Sequence, residues 1–440
     1  MVKGYKEYKE TKIPWLQEIP SHWQTQRAKT MYAKMNRPVS ENDDVVTCFR
    51  DGIVTLRKNR RTTGFTESIK EIGYQGIQEG DLVIHVMDAF AGAIGVSDST
   101  GKGTPVYTVC TAKGDYNSYY YAFVIREMAK KGFIQSLYRG IRERSSDFRY
   151  EVFGKQLLPI PPRSEQDQIA CYLDWKVSMI DKYINTKKKQ IELLKEQKQA
   201  IINQAVTKGL EPKIPMKDSG IEWLGKIPEH WEAKRLKAIV SLSSHKKTGK
   251  AEQYIGLENI ESWTGQYVET KGIEPDGICN VFKKGDLLFG KLRPYLAKSW
   301  IAKYDGICSS EFIVMEDCKI KPEYLQLIFF IKTFIDHINS STYGAKMPRA
   351  NWEFIGNCKL PIPPDHEQDK IVDHLYAYIQ RATNFTDNAH EGILLLQEYR
   401  VRIISDVVTG KVDVQEVKIP EFLIKNEDFR YVNIADDEED

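Results

Sequence analysis

Pro159-Ile160-Pro161-Pro162-Arg163-Ser164-Glu165-Gln166-Asp167 returns 202 residues later as Pro361-Ile362-Pro363-Pro364-Asp365-His366-Glu367-Gln368-Asp369. The segment after each copy decides the fold. Proline cannot donate to a ladder and restricts the residue before it, so Pro-Pro ends the preceding strand or loop. Ser164 with Asp167 fits an N-cap followed by an acid in the first turn. From there to Val206 the chain holds neither Gly nor Pro, and its apolar residues keep a heptad. One column is Val177, Ile184, Ile191, Lys198, Ala205; the other is Leu173, Ile180, Lys187, Leu194, Ile201. Shifted by 202, the columns read Ile379, Thr386, Ile393, Arg400, Val407 and Leu375, Ala382, Ala389, Leu396, Ile403. A seam repeating every 3.5 residues is that of a coiled coil. A helix of about 40 residues is ~60 Å long at 1.5 Å per residue. Ordinary amphipathic core helices run to only ~11–12 residues. Two such helices in one chain most simply pair with each other; antiparallel, they form a rod with one block at each end.

Outward from these segments, the whole chain repeats once. Ile13, Trp15, Leu16, Ile19, Pro20, His22 and Trp23 return as Ile221, Trp223, Leu224, Ile227, Pro228, His230 and Trp231, and Gly80-Asp81-Leu82 returns as Gly285-Asp286-Leu287. A period of about 200 residues is far too long for a solenoid. Between the anchors the halves look almost unrelated. Each half is therefore a variable block of about 145 residues followed by a matched segment of about 50. The blocks read as mixed α/β. Strands are expected after each Gly-Asp turn, and helices over Tyr119–Lys130 and Pro322–Ile338. The Trp15/Trp23 and Trp223/Trp231 pairs, with His22 and His230 beside them, read as packing of each lead-in segment onto its block or the helix root.

With 41% hydrophobic and 28% charged residues, the composition is that of folded globular domains rather than a disordered chain. The richest apolar run, Leu327–Ile331, is far short of the ~18–20 residues of a membrane helix. No secretory signal is visible. Seven scattered cysteines without a CxxC fit reduced thiols and a cytoplasmic home. The net charge of +2 hides an asymmetry: the last fifteen residues carry seven acids and one base. That tail is −6, which leaves +8 on the body. A basic body is compatible with a polyanion, and an acidic tail with solubility.

Catalytic motifs fail one by one. Gly95-Val-Ser-Asp-Ser-Thr-Gly101-Lys102-Gly103 has one residue too many for a phosphate loop, and lacks Ser or Thr after its lysine. His366-Glu367 is followed by Lys370 where a zinc motif needs histidine. No GxSxG elbow and no Asn-Pro-Pro-aromatic motif occurs. Glu165-Gln166 and Glu367-Gln368 read as helix starts and contact points for a partner, because no second matched acid completes a site. Basic clusters do lie in both blocks: Arg57-Lys58-Asn59-Arg60-Arg61 with Arg139, Arg142, Arg144 and Arg149, then Lys246-Lys247, Lys291 with Arg293, and Lys346 with Arg349. Lys and Arg position a duplex through phosphates, and Arg can read base edges. Arg60, Arg61, Lys246 and Lys247 are phosphate candidates; Arg149 and Arg349, near the block ends, are base-contact candidates.

The doubled Pro-x-His-Trp segments, the doubled Pro-Ile-Pro-Pro-x-x-Glu-Gln segments and the helix ends Val206-Thr207 and Val408-Thr409 resemble the specificity subunits of type I restriction-modification systems, over nearly the whole chain. The resemblance implies an α+β fold with two mixed α/β target recognition domains separated by two long antiparallel coiled-coil helices. It places recognition domains at 1–158 and 211–360, spacer helices at 159–210 and 361–411, and an acidic tail at 412–440, which has no counterpart in the pattern. It also implies a non-catalytic reader of a bipartite double-stranded DNA target, which recruits two methyltransferase subunits and two restriction subunits. No cofactor is then expected on this chain; S-adenosylmethionine, ATP and Mg2+ belong to the partners. Two other readings remain: a coiled-coil adaptor that joins proteins, and an enzyme with cryptic motifs. Salt-dependent DNA binding separates the reader from the adaptor.

Overall fold

The computed structural model describes residues 3–60, 72–137, 147–248, 253–270, 277–344 and 346–420. The chain forms two compact units, Met1–Lys187 with Glu391–Asp440, and Lys188–His390. Each contains one variable block, the root of one long helix and the tip of the other.

The long helices span Arg163–Lys208, 46 residues, and Asp365–Val408, 44 residues. Every heptad position named above is buried or half-buried, none exposed, so the 3.5-residue period does mark the packed seam. Both helices begin earlier than the Ser164 capping pattern predicts. The Pro162 carbonyl accepts from the Glu165 and Gln166 amides at 3.0 Å, and the Pro364 carbonyl accepts from Glu367 and Gln368 at 2.9 and 3.0 Å. The second proline is thus the cap residue. It needs no donor there, because its carbonyl alone opens the helical ladder.

In the first unit, a four-stranded antiparallel sheet runs in the order Tyr32–Lys34, Tyr107–Ala112, Leu82–His85, Ile94–Val96. The helix Ser118–Lys130 packs against its Ile94–Val96 edge. In the second unit the equivalent sheet is Ser241–Leu242, Phe312–Glu316, Leu287–Gly290, Ser299–Ile301. A second sheet, Lys246–Thr248, Ile278–Phe282, Gly306–Cys308, Tyr254–Ile255, closes with a parallel pair. The repeated Gly-Asp enters equivalent strands. Gly80 and Gly285 take φ of 87° and 96°, which a side chain disfavours. Asp81 and Asp286 then accept the amides of Gln78 and Lys283, each at 2.7 Å.

The helix expected over Pro322–Ile338 is two helices, Pro322–Ile328 and Lys332–Ser340. The break has a packing cause. Tyr324 to Ile331 are all buried, and a single straight helix turns part of any such run toward solvent. Redirecting the chain at Phe329–Ile331 buries them all, with Phe329 stacked on Phe289 at 4.4 Å. The phosphate-loop look-alike is packing as well. Gly95 and Gly101–Gly103 lie in buried strands, and a Cβ on Gly95 would collide with the Gly52 carbonyl.

Candidate nucleic-acid interface and the joints that carry it

The two sequence motifs that repeat best meet in space. In the first unit the Glu165 carboxylate, 3% exposed, accepts from Trp23 Nε1 at 2.9 Å, from the Tyr5 hydroxyl, and faces His22 Nε2 at 2.9 Å. Next to it, the Gln166 amide donates to the Pro161 carbonyl and accepts the Asn117 amide, both at 2.9 Å. Asn117 caps the helix Ser118–Lys130. In the second unit Glu367 meets Trp231 Nε1 at 2.9 Å and His230 Nε2 at 2.6 Å. Gln368 donates to Pro363 at 2.9 Å and accepts the Lys321 amide at 3.0 Å, again the residue before a block helix. Burial raises the Glu367 pKa, but the hydrogen bonds from Trp231 and His230 and the nearby histidine charges outweigh it and hold the carboxyl below its ordinary value.

These joints also grip the tip of the other long helix. Tyr120 donates to the Val408 carbonyl at 3.3 Å, and Tyr324 to Val206 at 3.0 Å. Gly410 and Gly209, at φ of 76° and 77°, end the helices beneath Trp23 and Trp231, where a Cβ would stand 2.9 and 3.3 Å from the rings. In each unit, then, one helix starts where the other stops, and the pair is antiparallel. Further along, Arg400 meets the buried Asp181 at 2.9 Å in the first unit. In the second, the corresponding residues are Lys198 and Thr383, so that ion pair does not recur. Burial pushes the Lys198 ammonium pKa down.

The expectation that Glu165, Gln166, Glu367 and Gln368 are partner contacts meets a physical obstacle. Glu165, Gln166 and Gln368 are at most 3% exposed, and Glu367 is 21% exposed at its side chain and held by two donors. All four are engaged within the chain. Their work here is to fasten block to helix.

The basic candidates divide sharply. Arg61, Arg142, Arg144 and the neighbouring Arg139, with residues 421–440 of the tail, lie outside the described residues; the start of the tail packs on the first long helix, where Gln168 donates to the Val414 and Val417 carbonyls at 3.0 and 2.8 Å. Arg60 is folded back: 15% exposed, 2.7 Å from Asp51 and over the Phe49 ring at 4.4 Å. Arg57 is half-buried near Thr47, and Lys58 pairs with Asp44 at 2.5 Å. Arg149 stays exposed beside Asp147 at 2.7 Å. Lys246 and Lys247 lie exposed on an edge strand. The best-assembled group is in the second unit. Lys291 and Arg293 are brought to the 343–349 loop by main-chain bonds from Arg293 N to Pro348 at 2.7 Å and from Ala350 N to Lys291 at 2.9 Å. Lys346 and Arg293 are exposed there. Arg349 is instead bound to Glu311 by three contacts of 3.0–3.1 Å, so the guanidinium offered as a base reader is already engaged. Sequence reading missed Tyr295, Tyr343 and Met347, which are 43%, 64% and 53% exposed around these cations. A loop has no periodicity to reveal them; the only signal is large apolar residues in a Gly/Pro-bounded basic stretch. The first unit repeats this frame: Val86 N bonds Val106 as Lys291 N bonds Glu311, and Phe148 N reaches Val86 at 3.3 Å.

Among the described residues no three His, Cys, Asp or Glu side chains gather as metal ligands, and no helix is long and apolar enough to cross a membrane.

Fold and joints define a class: one helical scaffold used twice to carry two divergent blocks. The family model described as the type I restriction modification DNA specificity domain matches residues 228–393. The type I restriction enzyme EcoDI specificity subunit of Escherichia coli is 26% identical over 321 residues, 65% of this chain and 72% of that one. The MjaVIII specificity subunit of Methanocaldococcus jannaschii is 26% identical over 310 residues, 66% and 69%. In fold, the chain matches one from a type I restriction-modification system with a TM-score of 0.64 at 13% identity, covering 90% of this chain and 99% of that one. It matches the HsdS subunit from Thermoanaerobacter tengcongensis with a TM-score of 0.55 at 13% identity, covering 90% and 98%. In sequence over part of its length, and in fold over most of it, the chain is similar to the specificity subunits of type I restriction-modification systems.

Proposed function

We infer that this chain recognises a bipartite DNA target for a type I restriction-modification complex. The observation that carries the reading is the pair of matching joints bearing two unlike blocks. A shared frame with divergent exposed loops is what two different half-sites require, so the target is asymmetric. In this reading the chain performs no chemistry. It brings two methyltransferase subunits and the restriction subunits to one site in the cytoplasm, for N6-adenine methylation or ATP-dependent cleavage. S-adenosylmethionine, ATP and Mg2+ then reside on those partners. The long helices offer surface for such partners: Leu193 and Phe385, 54% and 45% exposed, flank an open groove between the helices of the second unit. The boundaries 1–158, 159–210, 211–360 and 361–411, with the 412–440 tail, are the working division into blocks, spacers and tail.

The test is co-expression with the methyltransferase subunit of its own system in a host without adenine methylation, followed by mapping of methylated adenines. A two-part consensus with a fixed gap is expected, absent when this chain is omitted. Binding should weaken with salt as log K against log salt with slope about −0.9 per phosphate contacted. Methylation without this chain, or a salt-independent affinity, refutes the reading.

A further inference from the structure

We propose that Tyr343 and Met347 contact thymine methyl groups in the major groove, on a base-reading loop closed by the main-chain pairing of Tyr343 with Arg349, and that Arg349 acts as a positioning residue. The proposal rests on the DNA-recognition reading above and names the chemistry of one half-site.

The geometry comes first. Tyr343 and Arg349 bond each other through their main chains at 3.1 and 3.3 Å, which closes the loop at its base. Gly344 takes φ of 92°, a turn that a side chain would strain. The Arg293 amide holds Pro348 from the adjoining loop, with Arg293 itself at φ of 51°. The Arg349 guanidinium lies across both Glu311 oxygens, and the Glu311 carbonyl holds the Lys291 amide at 2.9 Å. One ion pair thus ties the reading loop to the sheet and to the second basic loop.

Charge and exposure give the ligand. Arg293 and Lys346 stand exposed beside Tyr343 and Met347, which leave more than half of their surface in solvent. Burying the exposed surface of Tyr343 and Met347 against an apolar partner is favourable. The cations select the phosphate backbone. Within the major groove the one apolar feature of the base edges is the thymine C5 methyl.

The test uses the complex with its methyltransferase subunit and a synthetic duplex carrying the mapped target. Replacing thymine by uracil, which removes only the methyl, at one position of the half-site read by this unit should weaken wild-type binding roughly tenfold. The same replacement should cost the Tyr343→Ala, Met347→Ala double variant nothing. In methylation maps that variant should relax one or two adjacent positions and leave the other half-site unchanged. Arg349→Glu should blur the whole half-site, and the exchange Arg349→Glu with Glu311→Arg should restore it, since it rebuilds the tie and removes any direct reading by Arg349. A wild-type complex that maps a two-part target yet tolerates uracil throughout overturns the proposal while leaving the DNA reading intact. So does loss on alanine substitution without loss on uracil, the mark of an inserted wedge. Relaxation of a single position by Arg349→Ala, with no rescue by the exchanged pair, makes Arg349 a reader and overturns its assignment. A complex that maps no target refutes the DNA reading instead.

Discussion

Gln166 shows how little chain holds a block to its helix. Its amide bonds one backbone carbonyl and one backbone amide, in a site where the side chain is 1% exposed. Gln166→Ala leaves both groups buried without partners, at about 1–3 kcal/mol each. The variant should unfold at lower urea, with faster hydrogen exchange at the Asn117 amide; unchanged exchange there refutes the clamp. Glu367 adds a pH dependence. Its carboxyl pKa lies below the ordinary 4.5, so folding prefers the charged form. That stability is fully present above about 4.5 and is lost as the pH falls through the lower, folded value. Glu367→Gln should therefore flatten the acid limb of the stability curve below about pH 4.5. An unchanged acid limb refutes this. The Trp, His, Glu and Gln residues of both joints were visible in the sequence as repeated motifs, whereas Tyr5, Asn117 and Lys321 were not. That His22 and Trp23 meet Glu165 was not: more than 140 residues separate them, and local patterns carry no information about a contact closed by the fold.

At the scale of elements, the long helices were legible because a 3.5-residue seam is a local signal repeated many times. Arg400 shows its limit. As a lone cation in the seam it looked like the twin of Lys198, yet it meets Asp181, 5% exposed, at 2.9 Å. The second repeat has Thr383 where Asp181 would return. Arg400→Met removes the cation that faces this buried carboxylate and should cost at most about 3 kcal/mol, since Arg400 keeps a third of its surface in water. Adding Asp181→Leu should recover most of that loss, since a well-packed apolar pair replaces a buried ion pair at little cost. Thermal unfolding of the two variants decides; a double variant no more stable than the single one refutes the pairing. The broken helix at Phe329–Ile331 was illegible for the opposite reason. Its residues are all apolar, so no periodicity marks which of them a straight helix would expose.

At the scale of the molecule, each long helix passes without a break through both units, and at 1.5 Å per residue each is almost 70 Å long. Asp181 faces Arg400 in one unit, while Leu194 shares a groove with Tyr378 and Phe385 in the other. Four residues inserted after Gln190 and again after Glu391 add about 6 Å to both helices. The mapped target should then keep both half-sites and gain one or two base pairs of gap, or methylation should be lost through the stutter. A changed half-site with an unchanged gap would mean that the helices are not spacers. The way each block joins the scaffold has a consequence for inheritance. Gln24–Arg27 pairs with Leu157–Ile160, Gln24 opposite Ile160, and Glu232–Arg235 pairs with Lys359–Ile362, Glu232 opposite Ile362. A block leaves and rejoins the scaffold through neighbouring strands about 5 Å apart. The pairing was hidden in sequence, since Gln24-Thr-Gln-Arg27 has no apolar alternation. A whole block can therefore be replaced at its paired strands without altering either long helix. Because the two halves join their blocks through equivalent paired strands, one block could in principle stand in both places. The product would be a chain that reads one half-site twice, a new specificity acquired without a single new amino acid.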